Sequence, residues 1–306
     1  MELIQLLSFY QIAKTGSFSE ASKYIFRSQS AVSHQIKNLE SELGIRLFDR
    51  LGRAIRLTEE GKILFDFCSG FLEDLDNVKR MYEDMQQGKC GNLTIVTSSA
   101  VITYVLPNVI KIFIEQFPRI MFKLITCVIT FEIPRIILNG EADFGIGPKM
   151  DQVSSERLDF LSWKFFDKVV LVARGHPLSE KESVTLADLA KYPLILYREG
   201  TLIRKSVEDA FLRNNLSYEV VMEMDVAENI KKYVERGVGV SVLSSLAFTD
   251  EDKERFSLFN INHLLGRTEY GIYFRKDRYM TTAMKEFIRI FAPEICENLP
   301  SHKFRH

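Results

Sequence analysis

Cysteine is sparse in this sequence, with only Cys68, Cys90, Cys127 and Cys296 among 306 residues. None falls into a CxxC or Cys/His spacing, so neither a metal site nor a disulfide framework is indicated. Idle or buried thiols are the plain reading, and a redox switch on Cys127 or Cys90 would require exposure and a lowered pKa. The five histidines are equally scattered. Long apolar runs are missing too: nothing approaches the ~20 residues that span a bilayer. The opening Met1-Glu2-Leu3-Ile4-Gln5 lacks the basic stretch of a secretory signal. No membrane association and a cytoplasmic location are therefore expected. Catalytic signatures are absent: there is no GxSxG elbow, P-loop, HExxH or Cys/His nucleophile pair, and Gly237-Val238-Gly239 lacks the third glycine of a dinucleotide fingerprint. No catalytic residue, metal or cofactor is assigned, and an enzyme is not expected.

What is present is a globular composition, with 46% hydrophobic and 26% charged residues and only 8 prolines. A chain of 306 residues is long for one core and comfortable for two domains. The net charge of -1 argues against a chain coated in basic residues, but the charge is unevenly spread. From Lys14 to Leu57, eight Lys/Arg stand against four acids, whereas from Gly61 to Gln87 three bases face six acids. A basic head thus precedes an acidic stalk.

In the head, Leu3, Leu6, Leu7, Tyr10 and Ala13 recur at helical spacing up to Thr15-Gly16. Ser17 to Glu20 fits a capping box opening a short second helix. Ser28 then caps a third helix predicted from Gln29 to Leu43, stopped by Gly44. Within it Val32, Ile36, Leu39 and Leu43 share one face directed at Ala21 and helix one, and the opposite face is polar. If this is a helix-turn-helix, its N-terminal end enters the major groove, making Gln29, Ser30, Ser33 and His34 base-contact candidates. The segment Phe48 to Leu57 reads as a two-stranded wing turning at Gly52. There Arg53 would enter the minor groove, with Arg50, Arg56 and Lys37 neutralising phosphates. The plainer alternative is a three-helix bundle with a solvated polar face.

The head resembles the LysR-type transcriptional regulators. The residues that carry the resemblance include Gly16-Ser17-Phe18, Glu20-Ala21-Ser22, Ser28 to Ser33, Ile36 to Glu40, Glu42-Leu43-Gly44, Leu47 to Arg50 and Leu57-Thr58-Glu59-Glu60-Gly61. It continues through Gly140 to Phe144, Gly175 to Leu178 and Gly237 to Val240. The resemblance implies a sequence-specific regulator that binds double-stranded promoter or operator DNA. It further implies control by a small-molecule effector, and a homodimer assembling to a homotetramer, with RNA polymerase as a further candidate partner. It also implies that the segment after the wing is a long helix pairing with its twin. Here Thr58 can cap a helix to about Gln87 whose stripe is Leu64, Phe67, Phe71, Leu75, Val78, Tyr82 and Met85.

Past a Gly88 to Gly91 hinge, strands and helices alternate: Leu93–Thr97, Tyr104–Phe117, Met121–Thr126, Glu132–Asn139 and Ala142–Ile146 form a first set. A second runs from Lys168–Ala173 through Leu194–Tyr197, a helix from Leu202, Glu219–Met224, a helix from Ala227, and Val240–Leu243. Tyr270–Arg275 and a helix near Met280–Phe291 then return to the first. The rhythm predicts parallel sheets in two α/β lobes around a cleft. The expected fold is a winged helix-turn-helix at 1–58, a linker helix and hinge at 59–91, and a two-lobed, periplasmic-binding-protein-like effector domain at 92–306. Lobe I is about 92–165 and 269–299, and lobe II about 166–268.

Ligands in such sheets gather beyond the strand ends, where helix N-termini favour anions. Ser98, Ser99, Thr130 and Thr201 are the effector-site candidates, though each could serve only as a helix cap. The second half is similar to the CysB-type regulators of sulfur assimilation in Tyr192-Pro193-Leu194, Ile230 to Val234 and Phe287 to Pro293. Ala100, Val101, Pro148 and Leu202 depart from that pattern, standing where polar ligand contacts are expected. A sulfur-related effector and another anionic metabolite both remain open. The competing reading is a two-lobed solute-binding protein without a DNA-binding role.

Overall fold

The computed structural model describes residues 1–51, 54–87, 90–150, 157–276 and 278–298, in two compact units, Met1–Glu83 and Asp84–His306. The first contains α1 (Leu3–Thr15), α2 (Phe18–Tyr24), α3 (Gln29–Leu43), β1 (Phe48–Leu51), β2 (Ala54–Leu57) and most of α4 (Glu59–Gln87). Ser28 caps α3 by accepting the Ala31 N–H at 3.2 Å. Gly44 ends it in the left-handed region at φ 69°, which costs a residue without Cβ little. The box foreseen at Ser17 forms by half. Ser17 Oγ accepts the Glu20 N–H, but its own N–H donates to Thr15 Oγ1 at 3.3 Å, and the Glu20 carboxylate instead pairs with Lys23 at 2.7 Å.

Val32, Ile36 and Leu39 are buried together with Phe9, Ile12, Ala21 and Leu47. Leu43, expected on the same face, is exposed, and Leu47 takes up the core after the turn. Glu40 fixes that turn: its Oε1 accepts the Leu47 N–H at 2.8 Å and the Phe48 N–H at 3.4 Å. β1 and β2 pair antiparallel from Phe48↔Leu57 to Leu51↔Ala54. Thr58 caps α4 by accepting the Gly61 N–H at 2.9 Å. Only glycine fits at 61, since an added Cβ would sit 2.2 Å from the Leu47 carbonyl oxygen. The apolar stripe of α4 keeps its expected register from Phe67 to Tyr82 and departs from it only at the start, where Leu64 turns inward and Ile63 outward. Leu64, Phe65 and Cys68 pack into the helical core, and the exposed stripe is Ile63, Phe67, Phe71, Leu75, Val78 and Tyr82. The Met85 side chain lies outside the described residues.

The second unit begins with β3 (Cys90–Thr97), α5 (Ser99–Tyr104), α6 (Leu106–Gln116), β4 (Arg119–Thr126), α7 (Ile133–Leu138), β5 (Phe144–Pro148) and β6 (Leu158–Phe166). The second lobe follows as β7 (Lys168–Ala173), α8 (Leu186–Leu189), β8 (Leu194–Tyr197), α9 (Leu202–Arg213), β9 (Val220–Met224), α10 (Ala227–Glu235), β10 (Ser241–Ser244), α11 (Asp252–Arg255), β11 (Phe256–Asn260) and α12 (Asn262–Leu265). The chain returns as β12 (Thr268–Arg275) and α13 (Thr282–Phe291).

The sheets are mixed, which corrects the parallel expectation. β3 is parallel to β4 and β5, but β12 lies antiparallel between β5 and β6 in the order β4-β3-β5-β12-β6. β6 carries the chain out to the second lobe and β12 brings it back, so as neighbours they must run in opposite directions. In the second lobe β7 sits antiparallel between β10 and β11, and β8 pairs parallel with β9. Phe113 of α6 and Phe287 of α13 cover one face of the first sheet, and Ile133 and Ile137 of α7 belong to a separate cluster with Val96 and Tyr273. The buried Asp143 carboxylate joins β3 to the end of the unit, accepting the Thr94 N–H at 2.6 Å and pairing with Arg278.

Replacing Glu40 by Ala leaves the N–H of the fully buried Leu47 without an acceptor, a loss of about 1–3 kcal/mol. A urea melt of the full chain should therefore show a lower midpoint for the first transition in Glu40→Ala, largely restored in Glu40→Gln. An unchanged midpoint would mean that water replaces the carboxylate.

Candidate nucleic-acid interface and effector cavity

Burial of one edge of α3 turns the other outward. Gln29, Ser30, His34 and Lys37 are exposed and Ser33 is half-buried, so the five candidates share one open surface on the N-terminal part of the helix. Their side chains are partly pre-engaged. Ser30 Oγ lies 3.0 Å from Ser28 Oγ, Asn38 Nδ2 lies 3.3 Å from His34 Nδ1, and Ser19 Oγ of α2 donates to Gln29 Oε1 at 3.3 Å. Ser19 thus takes one of the two acceptor positions of Gln29 Oε1, leaving the other and the amide N–H groups for N6 and N7 of an adenine. On the wing, Arg56 is exposed and stands opposite Asp49 in the ladder. Arg50 has its backbone in β1, opposite Ile55. The Arg50 side chain and the whole of Arg53 lie outside the described residues.

In the second unit Ser98, Ser99, Thr130 and Thr201 line a single cavity that is partly open to solvent, with about 600 Å3 of empty space when that open part is included. Ser98 caps α5, accepting the Val101 N–H, and Thr201 stands at the N-cap of α9, where its hydroxyl donates to the Arg198 carbonyl at 3.0 Å. The first amides of α9 consequently receive no side-chain cap. Thr97 is turned away, its hydroxyl donating to the Ile146 carbonyl at 2.6 Å. Ala100 and Leu202 are in the cavity wall with Val128 and Ile203. Val101 is in the core and Pro148 closes β5.

Sequence reasoning passed over Tyr197, Tyr270, Asp225, Ser244, Thr268 and Cys127, which complete the lining. The two tyrosines read as strand residues, and nothing in their periodicity separates a core phenol from one facing a cleft. Burial pushes the Tyr270 phenol up to about 12, against a hydrogen bond with Ser98 that pulls it down. Tyr197 is raised by burial and by the neighbouring Tyr270. Both stay protonated at neutral pH, available as neutral donors. Asp225 is paired with Arg198 at 3.1 Å, and none of the lining residues is basic. Burial, with Glu132 adding, pushes the Cys127 thiol up to about 11, and it donates to the Ile129 carbonyl at 3.1 Å. A redox switch needs a thiolate, so Cys127 is poorly suited to one, while the Cys90 side chain lies outside the described residues. Among the described residues no group of His, Cys, Asp and Glu could hold a metal ion, and no helix is long and apolar enough to cross a membrane.

The chain is 31% identical to the HTH-type transcriptional regulator CysB of Burkholderia cenocepacia over 92% of its own length and 90% of that protein's. It is 32% identical to the HTH-type transcriptional regulator cbl of Escherichia coli, covering 90% of this chain and 86% of the relative. Among solved structures, full-length OxyR from Pseudomonas aeruginosa superposes with a TM-score of 0.69 at 22% identity, over 96% of this chain and 94% of that one, which supports the fold. Residues 3–62 match the description "Bacterial regulatory helix-turn-helix protein, lysR family", and residues 86–295 match "LysR substrate binding domain". The chain therefore belongs to the LysR family of bacterial helix-turn-helix regulators.

Proposed function

We propose that this regulator reads an operator through Gln29, Ser30, Ser33 and His34, holds the phosphate backbone through Lys37, Arg50 and Arg56 with Arg53 entering the minor groove, and is controlled by a small effector in the cavity of its second unit. The observation that carries the reading is the exposed polar edge of α3, whose other edge is buried through Val32, Ile36 and Leu39. A helix so divided presents short donors and acceptors to base edges while its core fixes their register. The exposed stripe Ile63, Phe67, Phe71, Leu75, Val78 and Tyr82 supports self-association through α4. Apolar surface of this extent on a helix calls for a partner, and a twin helix supplies an identical stripe. A homodimer of this kind doubles the DNA-reading surface and is the unit from which a homotetramer is assembled.

For the effector, the cavity chemistry favours a small anion with an apolar part. Hydroxyls and the uncapped amides of α9 supply donors without a full positive charge, and Ala100, Val128, Leu202 and Ile203 offer an apolar wall. The likeness to CysB points to a sulfur-containing metabolite. The effector draws the lobes together and alters how the dimers hold DNA, which requires that it bind one conformation more tightly than the other.

Fluorescence anisotropy with duplexes selected from a random library by the full chain should separate the two kinds of DNA contact. Lys37→Ala is expected to weaken all sequences alike and to reduce the salt slope by about 1. Gln29→Ala should relax preference at one base pair by ~1–3 kcal/mol, and equal loss across all sequences would remove Gln29 from base reading. In a thermal-shift screen of the full chain against sulfur oxyanions, amino acids and carboxylates, a ligand at a hundred times its Kd should add about 2.7 kcal/mol of stability. Thr201→Val should reduce that shift while leaving the unliganded melting temperature nearly unchanged. A ligand whose shift survives both Thr201→Val and Ser98→Ala would bind elsewhere.

A further inference from the structure

Phe26 combines two features that the fold does not use. Its backbone lies in the left-handed region at φ 52°, where the only other described non-glycine is Asn215, and asparagine tolerates that region far better than a bulky aromatic does. Its ring is 93% exposed, the most open of the large apolar side chains described, and it makes no contribution to the helical core. The turn that holds it is well made: the Phe26 N–H donates to the Lys23 carbonyl at 3.3 Å and the Arg27 N–H to the Ser22 carbonyl at 3.0 Å. The ring is therefore presented outward from a fixed backbone.

Its place in the chain says what it faces. Phe26 precedes Gln29, the first residue of α3, by three positions, a span of no more than about 10 Å. When the start of α3 enters the major groove, this turn is carried to the groove edge. Arg27, Ser28, Gln29 and Ser30 around it are all exposed. The apolar group that a duplex offers there is the C5 methyl of thymine.

We infer that Phe26 is a base-contact residue that docks on a thymine methyl beside the pairs read by Gln29. The inference rests on the DNA-reading role of α3 and adds to it an apolar, methyl-specific contact. Strain in the free turn is then retained because it aims the ring.

The test uses the full chain and a duplex selected from a random library, with each thymine replaced in turn by deoxyuridine, which removes only the methyl. Wild-type affinity should fall about fourfold at one flanking position, the worth of one buried methyl group. Phe26→Asn, whose side chain suits the left-handed backbone, should raise the melting temperature yet weaken binding by about fourfold or more. It should also be indifferent to deoxyuridine at that position, with the salt slope unchanged because no phosphate contact is lost. Phe26→Tyr should retain the methyl response. Wild-type affinity for Phe26→Asn, or a Phe26→Asn variant that still responds to the missing methyl, would overturn the inference while leaving DNA reading by α3 intact. Failure of the wild-type chain to select any duplex would overturn both.

Discussion

Val32, Ile36 and Leu39 are closed off from solvent by Phe9, Ile12, Ala21 and Leu47, and this burial decides what the rest of the first unit can do. A helix anchored by residues spaced three and four apart has no freedom to rotate, so its remaining residues face outward at fixed angles. Glu40 extends the same constraint to the wing by holding the amides of Leu47 and Phe48. Gly61 then lets α4 pass close to the Leu47 carbonyl. Recognition helix, wing and linker helix thus meet around Leu47.

In the second unit, the route of the chain between lobes organises the cavity. β6 leaves and β12 returns side by side, so residues at the ends of strands from both lobes face one space. Lys231 shows how polar groups are accommodated behind it. Its buried ammonium pairs with Asp252 at 2.8 Å and Glu228 at 2.6 Å, 4.9 Å above the Tyr104 ring. Burial alone would raise Asp252, but hydrogen bonds from Lys231 and the Thr249 N–H, with the charge of Lys231, lower it below the usual carboxylate range. An unpaired charge at this depth would be costly, and a fully partnered one is not. Tyr104 ends the same short helix that begins beside Ser98 and Ser99, so the cavity and this ion cluster are joined by α5.

Much of this was legible in the amino acids. The bounds of α3, the strands of the wing, the Thr58 cap and most strands of the second unit follow from capping residues, glycine stops and apolar spacing, which act over a few residues. Where the reading failed, a competing partner lay beyond that range. Thr15 took the Ser17 amide and Lys23 took the Glu20 carboxylate. The core of the first unit drew in Leu64, so the exposed stripe of α4 begins at Ile63 instead and is otherwise as expected from Phe67 to Tyr82. β6 and β11 were passed over because strands that are half-exposed along most of their length lack a strong period.

The sequence by itself determined the helix-turn-helix, the wing and the two α/β sets, because each is specified by neighbours along the chain. Only the tertiary structure decided that Ser98, Ser99, Thr130 and Thr201 share a cavity with Tyr197, Tyr270 and Asp225. Likewise, it alone decided that β12 runs against its neighbours. Those arrangements depend on how a chain that leaves one lobe and returns must pair its outgoing and incoming strands, and no local pattern of residues records that path.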